Sequence, residues 1–174
     1  YQLDPQKFYA VYAGNIGRMQ NVDIVVNAAK LLKDHKDIHF LIVGDGVMRK
    51  EIEKMVQGMD NVTMLPLQPQ ELATSIYSMA GVNIVPLVSG GLKTALPSKI
   101  GVCLSCGNPI IACAEKGSKL EYMLYTYHAG YTVDPKAVNN LAEAIFKDST
   151  VIHEKNYKCF LEKFIKSIKT KGWR

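Results

Sequence analysis

"FYAVYAGNIGRMQNVDIVVNAAKLL", residues 8–32, reads as a strand, a glycine turn and a helix. Phe8–Gly14 is a compact β-rich run that stops at a glycine. Beyond Asn21, the residues Val22, Val25, Val26, Ala29 and Leu32 recur at the 3.6-residue period of an amphipathic helix. The same beat returns down the chain. "IHFLIVGDG" (38–46) is a second strand, and "MRKEIEKMVQGM" after it is an exposed helix. "NVTMLPL" (61–67) is a third strand, followed by the helix "PQELATSIYSMA" with Pro69 near its first turn. "GVNIVPL" (81–87) is a fourth strand, and "PIIACA" after the short helix at 99–106 is a fifth. "SKLEYMLYTY" opens with a capping-box pattern, Ser118 and Glu121. "AGYTVD" is a short sixth strand, and "KAVNNLAEAIFKD" is the helix after it. Strands that alternate with helices pack as a parallel sheet covered on both faces, and their near-continuous apolar character fits that burial. The expectation is one α/β domain over residues 1–174, a doubly wound, six-stranded parallel Rossmann-like sheet. A basic amphipathic helix is expected at about 150–169.

Bulk composition narrows the function. The chain has 174 residues, of which 48% are hydrophobic, enough to bury a full core. Apolar residues are spread evenly, which argues against disorder. No apolar run approaches a membrane span, and no basic-then-apolar leader opens the sequence. A net charge of +5 suits attraction to phosphates or an anionic surface. Aromatic–basic interleaving of the nucleic-acid-binding kind is missing, so nucleic acid is not an expected partner. The cysteines are Cys103, Cys106, Cys113 and Cys159. Three lie in apolar segments, which suits reduced thiols in a cytoplasmic protein. Cys103 and Cys106 form a lone C-x-x-C without a second ligand pair, so buried inert thiols are expected and a metal is not. The histidines, His35, His39, His128 and His153, show no ligand spacing either.

In doubly wound sheets, ligands bind beyond the carboxyl ends of the strands, near the point where strand order reverses. That rule directs attention to three loops. "GNIGRMQN" (14–21) has two glycines, Gly14 and Gly17, that let backbone approach a ligand. Arg18 in the same turn offers a charged fork or is simply solvated. "GDG" (44–46) places Asp45 where an acid meets a ribose in dinucleotide folds, or where an aspartate merely closes a turn. "VSGGLKTALPSK" (88–99) is a long loop that ends in Ser98, a good N-cap, and Lys99 in the first helical turn. A lysine there opposes the helix dipole, and a bound diphosphate would offset that; a solvated lysine is the alternative. The helix behind it is apolar nearly all round and is expected to be buried. Ser98, Lys99 and the helix N-terminus thus form one wall of an anion site, with Gly14, Gly17 and Arg18 facing it.

These residues carry a family resemblance. "YAGNIGRMQNVDIVVNAAKLL", "FLIVGDGVMRKEIEKM", "NVTMLPLQPQEL", "YSMAGVNIVPL" and the "PSK" before "CGNPIIA" together resemble the C-terminal, donor-binding half of a GT-B glycosyltransferase of family 4, also called group 1. The resemblance spans about Phe8 to Asp148. The "PSK" form is similar to a subgroup acting in bacterial surface polysaccharide synthesis, including acetamidosugar transferases. It implies a retaining hexosyltransferase, no metal or other cofactor in this domain, and a UDP- or GDP-sugar donor. Gly14 and the Asn15–Arg18 turn would face the diphosphate and sugar. Strand three, around Leu65 and Leu67, would present backbone to the base, and Lys99 would help hold the nucleotide. The loop with Ser89, Gly90, Gly91 and Thr94 would line the sugar. The resemblance also implies an N-terminal acceptor-binding half, on this chain or on a partner chain.

The sequence departs from that pattern. Thr94 and Val102 occupy positions where members commonly carry two glutamates, the later one on the ribose. Asn15 and Gln20 stand where an arginine and a lysine are common. A non-catalytic donor-site relic serving as a binding or assembly subunit is therefore a second reading. A sugar-nucleotide 2-epimerase half-domain is a third, and lacks a convincing carboxylate pair. The basic helix at 150–169 would pack against the rest of an enzyme, or touch the anionic inner face of a membrane.

Overall fold

The computed structural model describes residues 3–90 and 96–150. Six strands and their helices alternate as the periodicity predicts: β1 (Phe8–Ala13), α1 (Val22–Leu31), β2 (Ile38–Val43), α2 (Arg49–Val56), β3 (Val62–Leu65), α3 (Ala73–Ser78), β4 (Val82–Pro86), α4 (Lys99–Ser105), β5 (Ile110–Cys113), α5 (Lys119–Thr126), β6 (Gly130–Val133) and α6 (Val138–Thr150). The strands form one parallel sheet in the order β3-β2-β1-β4-β5-β6. Strand order reverses between β1 and β4, so the doubly wound expectation holds.

The pleat divides the strands between two cores. Tyr9, Val11 and Ala13 of β1 pack with Tyr77 from α3, Ile100, Cys103 and Leu104 from α4, and Leu120 and Leu124 from α5. Ala10 faces the other way, into a core built with α1 and α6, and Tyr12 joins Val22, Val26 and Ile52 beneath α1 and α2. Phe40, Ile42, Ile84 and Ile111 are almost wholly buried, and each such side chain contributes roughly 1.5–3 kcal/mol by leaving water.

Some elements differ from the sequence reading. The third helix begins as a 3₁₀ turn at Gln70–Leu72 before α3 proper. Thr150, expected to begin the last helix, instead ends α6, and the basic stretch beyond it lies outside the described residues. The α4 helix is short, and Gly101 and Ser105 are exposed on one side of it while Ile100, Cys103 and Leu104 are buried. It is thus half-buried rather than buried all round. The α5 cap is as expected in kind: the Ser118 hydroxyl accepts from the Glu121 N–H at 3.2 Å. The Glu121 carboxylate, however, reaches back to the N–H of Gly117 at 2.6 Å, one residue before the cap.

At the point of reversal the sheet opens. β1 and β4 pair only at Ala10–Val82 and Val11–Asn83. Further along, β4 has Pro86, which has no N–H to give. The Ala13 carbonyl is met instead by the Tyr77 hydroxyl at 2.9 Å. The backbone carbonyl of Tyr77 in turn accepts from Asn83 at 3.3 Å and Asn108 at 2.9 Å. Tyr77→Phe removes the hydroxyl and leaves the buried Ala13 carbonyl unpaired. Urea denaturation is expected to show a loss of about 1–3 kcal/mol; a variant as stable as the wild type would contradict this role.

Candidate functional site

The crevice between the ends of β1 and β4 is closed over by one long side chain. Lys99 begins α4, on the face shared with α3 and α5, yet its amine lies over the ring of Tyr12 at 4.1 Å from the centroid. Tyr12 faces the opposite core, so the lysine stem passes across the sheet edge at Gly14. A Cβ built on Gly14 would stand 2.8 Å from Lys99 Nζ and 3.2 Å from its Cε, so a side chain there would push the end of the lysine aside. The tyrosine is wholly buried and donates its hydroxyl to the Asn15 carbonyl, which holds the turn after β1. Burial pushes the Tyr12 hydroxyl pKa up, so the ring stays neutral.

Burial also pushes the Lys99 ammonium down, from 10.5 to about 8. Among the described residues, the ion pairs are Lys36–Asp60 and Arg49–Glu53, so no carboxylate balances Lys99. Its cation–π contact returns about 0.5–2 kcal/mol of what desolvation costs. Lys99 is therefore a partly dehydrated cation with an aromatic floor and no ion-pair partner among the described residues.

The loops around it are laced together. Gly14 N–H donates to Val43 O at 2.9 Å, Ile16 N–H to Asp45 O at 2.7 Å, and Met48 N–H to Ile16 O at 2.9 Å. Gly44 permits this closeness, because a Cβ there would stand 1.8 Å from the Gly14 carbonyl oxygen. Val88 N–H donates to Met19 O at 3.2 Å, which joins the first loop to the one after β4. Asn21, left-handed at φ 46°, sends its side-chain amide to Leu87 O at 3.3 Å and Pro135 O at 2.9 Å. The loops after β1, β4 and β6 therefore meet at one residue.

All the expected site residues but Gly91 and Thr94 have a definite place. Gly14 and Lys99 are together. Asn15 and Gln20 pair with each other at 3.5 Å across the turn at Gly17. A Cβ on Gly17 would stand 2.6 Å from Gln20 Oε1, so this glycine serves that pairing. Arg18 is exposed, beside the Met19–Val88 tie. Asp45 is exposed and its carboxylate accepts from the Gly46 N–H at 2.7 Å, the turn-closing alternative. The Leu65 carbonyl already accepts from Gly44 N–H at 3.2 Å and from Arg49 at 3.0 Å, while Leu67 is exposed. Val102 is half-buried against the α4 core. The Ser89 hydroxyl and Gly90 N–H both donate to Glu115. Gly91 and Thr94 lie outside the described residues.

Ser98 is a correction. Its backbone is helical (φ −56°, ψ −31°) and its side chain makes no capping hydrogen bond. With α4 only seven residues long, the Lys99 amine rather than a helix terminus supplies the positive charge.

Residues the sequence reading passed over hold the site's shape. Tyr12 and Asn21 are two. Arg49 donates to the carbonyls of Gly44 and Leu65 and to Glu53 at 2.7 Å, stapling the ends of β2 and β3. Its i,i+4 spacing from Glu53 was the legible half of that role. Glu115 carried no local signal.

Of the C-x-x-C pair, Cys103 is buried as expected, whereas Cys106 is only half-buried and its thiol donates to the Thr74 carbonyl at 3.5 Å. Cys113 is buried too, and burial pushes the Cys103 and Cys113 thiols up to about 12, while Cys159 lies outside the described residues. No His, Cys, Asp and Glu cluster able to hold a metal occurs among the described residues, and none of the helices among them is long and apolar enough to cross a membrane.

Residues 7–147 match the family described as glycosyl transferases group 1. The chain is 32% identical over 146 residues to the Escherichia coli (strain K12) protein named "Putative colanic acid biosynthesis glycosyl transferase WcaI", covering 82% of this chain and 36% of that one. It thus spans about a third of the length of the curated relatives it matches. Sucrose-phosphate synthase from Thermosynechococcus elongatus superposes with a TM-score of 0.72 at 22% identity, over 92% of this chain and 42% of the other. Anabaena HepE in complex with UDP-glucose superposes with a TM-score of 0.66 at 12% identity, over 94% and 49%. The chain belongs to the group 1 glycosyltransferases, and its sheet is a Rossmann-like half of the GT-B kind.

The buried ammonium has a cost that substitution reveals. Because the folded state holds Lys99 with a lowered pKa, the unfolded chain binds more protons between about pH 8 and pH 10.5. Stability therefore rises with pH across that interval. Lys99→Met is expected to stabilise the unliganded protein at pH 7 by on the order of 1–3 kcal/mol, an advantage that shrinks by pH 10. Urea denaturation at both pH values checks this, and a variant less stable than wild type at pH 7 would contradict it.

Proposed function

We propose that this chain is the donor-binding half of a retaining glycosyltransferase, holding a UDP- or GDP-sugar from which a hexose or acetamidosugar is moved in surface polysaccharide or glycolipid synthesis. One observation carries the reading: the Lys99 ammonium at the β1–β4 crevice, partly dehydrated, floored by Tyr12 and without a carboxylate partner among the described residues. A diphosphate supplies the missing negative charge. As the bond from sugar C1 to the diphosphate oxygen breaks, charge grows on the leaving nucleoside diphosphate, and a fixed cation stabilises it without reorganising. Backbone at Gly14 lies against that amine, and Arg18 stands at the loop rim to add a second contact. Family membership supports transferase chemistry. The naming of the Escherichia coli relative for colanic acid biosynthesis supports a polysaccharide role, and the UDP-glucose complex of the Anabaena protein supports the donor class. The acceptor half, on the same chain or a partner, completes the proposed enzyme, so residues 1–174 alone would bind donor and transfer little.

A specific observation favours a second reading, a binding subunit without turnover. Asn15 and Gln20 satisfy each other, and Val102 packs into the core, so three positions commonly charged in the family offer no charge.

Calorimetric titration with UDP, GDP and their sugars tests the proposal. Wild type is expected to bind one nucleotide series below millimolar, Lys99→Met to bind it at least tenfold more weakly, and Arg18→Ala a few-fold more weakly. Affinity should fall as pH rises above about 8, where the free Lys99 loses its proton, with proton uptake on binding in that range. Absence of binding to every nucleotide would reject the proposal.

A further inference from the structure

The chain leaving β4 is tied from two sides. On one side the first loop holds it, through Asn21 to Leu87 O and Val88 N–H to Met19 O. On the other side one carboxylate oxygen holds two successive residues. Glu115 Oε1 accepts the Ser89 hydroxyl at 2.9 Å and the Gly90 N–H at 2.7 Å. Gly90 has φ +78°, while a Cβ there would meet nothing within 4 Å. The glycine therefore answers to the left-handed turn and not to crowding. Glu115 itself sits on a firm support between β5 and α5: its carbonyl accepts the Ser118 N–H at 3.1 Å, and Ser118 caps α5. Ser89 and Glu115 both line a hollow of about 470 Å³ over the ends of β5 and β6.

From these contacts we infer that Glu115 is a positioning residue that sets recognition of the sugar end of the donor, acting through Ser89 and Gly90. The inference rests on the proposed donor site. The diphosphate is gripped by Lys99 and Gly14, which β1, Tyr12 and α4 hold in place without help from Glu115. The Ser89–Gly90 turn, by contrast, takes its shape from that carboxylate, and two charge-assisted hydrogen bonds to one oxygen are strong enough to fix it. Replacing the carboxylate therefore disturbs what the sugar meets and leaves the diphosphate grip intact.

The test is calorimetric, with UDP against UDP-glucose and GDP against GDP-mannose. Glu115→Gln should weaken sugar-nucleotide binding about tenfold and change nucleoside diphosphate binding less than twofold. Ser89→Ala, which removes one donor and spares Glu115, should weaken sugar-nucleotide binding in the same selective way by a smaller factor. In the Ser89→Ala background the effect of Glu115→Gln should shrink, because both act through one turn. Equal losses for nucleotide and sugar nucleotide, no loss for either, or additive effects would each overturn the inference. Should Glu115→Gln fail to fold, Ser89→Ala alone decides, and unchanged sugar-nucleotide binding overturns it. Wild type that binds no nucleotide would bring down the donor-site proposal itself. Wild type that binds both ligands while the variants lose no selectivity would bring down only this inference.

Discussion

The site is organised by an ammonium group placed where solvation is poor. Lys99 extends over the Tyr12 ring past Gly14, which puts no side chain in its way, and no carboxylate among the described residues pairs with it. Water would hold that charge better than a tyrosine face does, so the folded chain keeps the lysine at an energetic cost. The donor-site proposal gives that cost a reason, because a bound diphosphate would supply the missing negative charge at the strand-order reversal. On that proposal, binding and stability would be coupled through one group, since the feature that weakens the empty fold would favour the liganded one.

The surrounding loops make this arrangement rigid. Backbone hydrogen bonds tie the turn after β1 to the turn after β2, and Gly44 allows the approach. Asn21 adopts a left-handed conformation and spends its amide on two carbonyls from distant loops instead of on its own helix. Glu115 clasps the exit of β4 from the far side. Loops held at several points can present a site with little reordering on binding, and that lowers the entropic cost of holding a ligand. Tyr77 performs a related service below them, satisfying the carbonyl that the splayed β1–β4 pair exposes.

Much of this was legible in one dimension because it depends on local rules. Apolar runs of strand length and valines at helical spacing announce the elements, and glycines at strand ends announce the turns that follow them. The short helix after "PSK" shows where such reading stops. Ser98 has the right chemistry for a cap, yet the backbone enters the helix already in helical geometry and the hydroxyl caps nothing. Asp45 likewise had two meanings in sequence, and the Gly46 N–H chose the turn-closing one. Asn15 and Gln20 looked like lost charges and prove to be a hydrogen-bonded pair.

By itself, the sequence determined the α/β class, the parallel sheet and the family to which the chain belongs. The first two follow from periodicity, turn chemistry and residue type within a short window. Only the tertiary structure decided that Lys99 crosses the sheet edge to Tyr12, that Asn21 joins three loops and that Glu115 clasps Ser89 and Gly90. These contacts link residues 25 to 114 positions apart or opposite faces of one sheet. No local pattern encodes them, because they exist only once the strands lie side by side and bring their ends together.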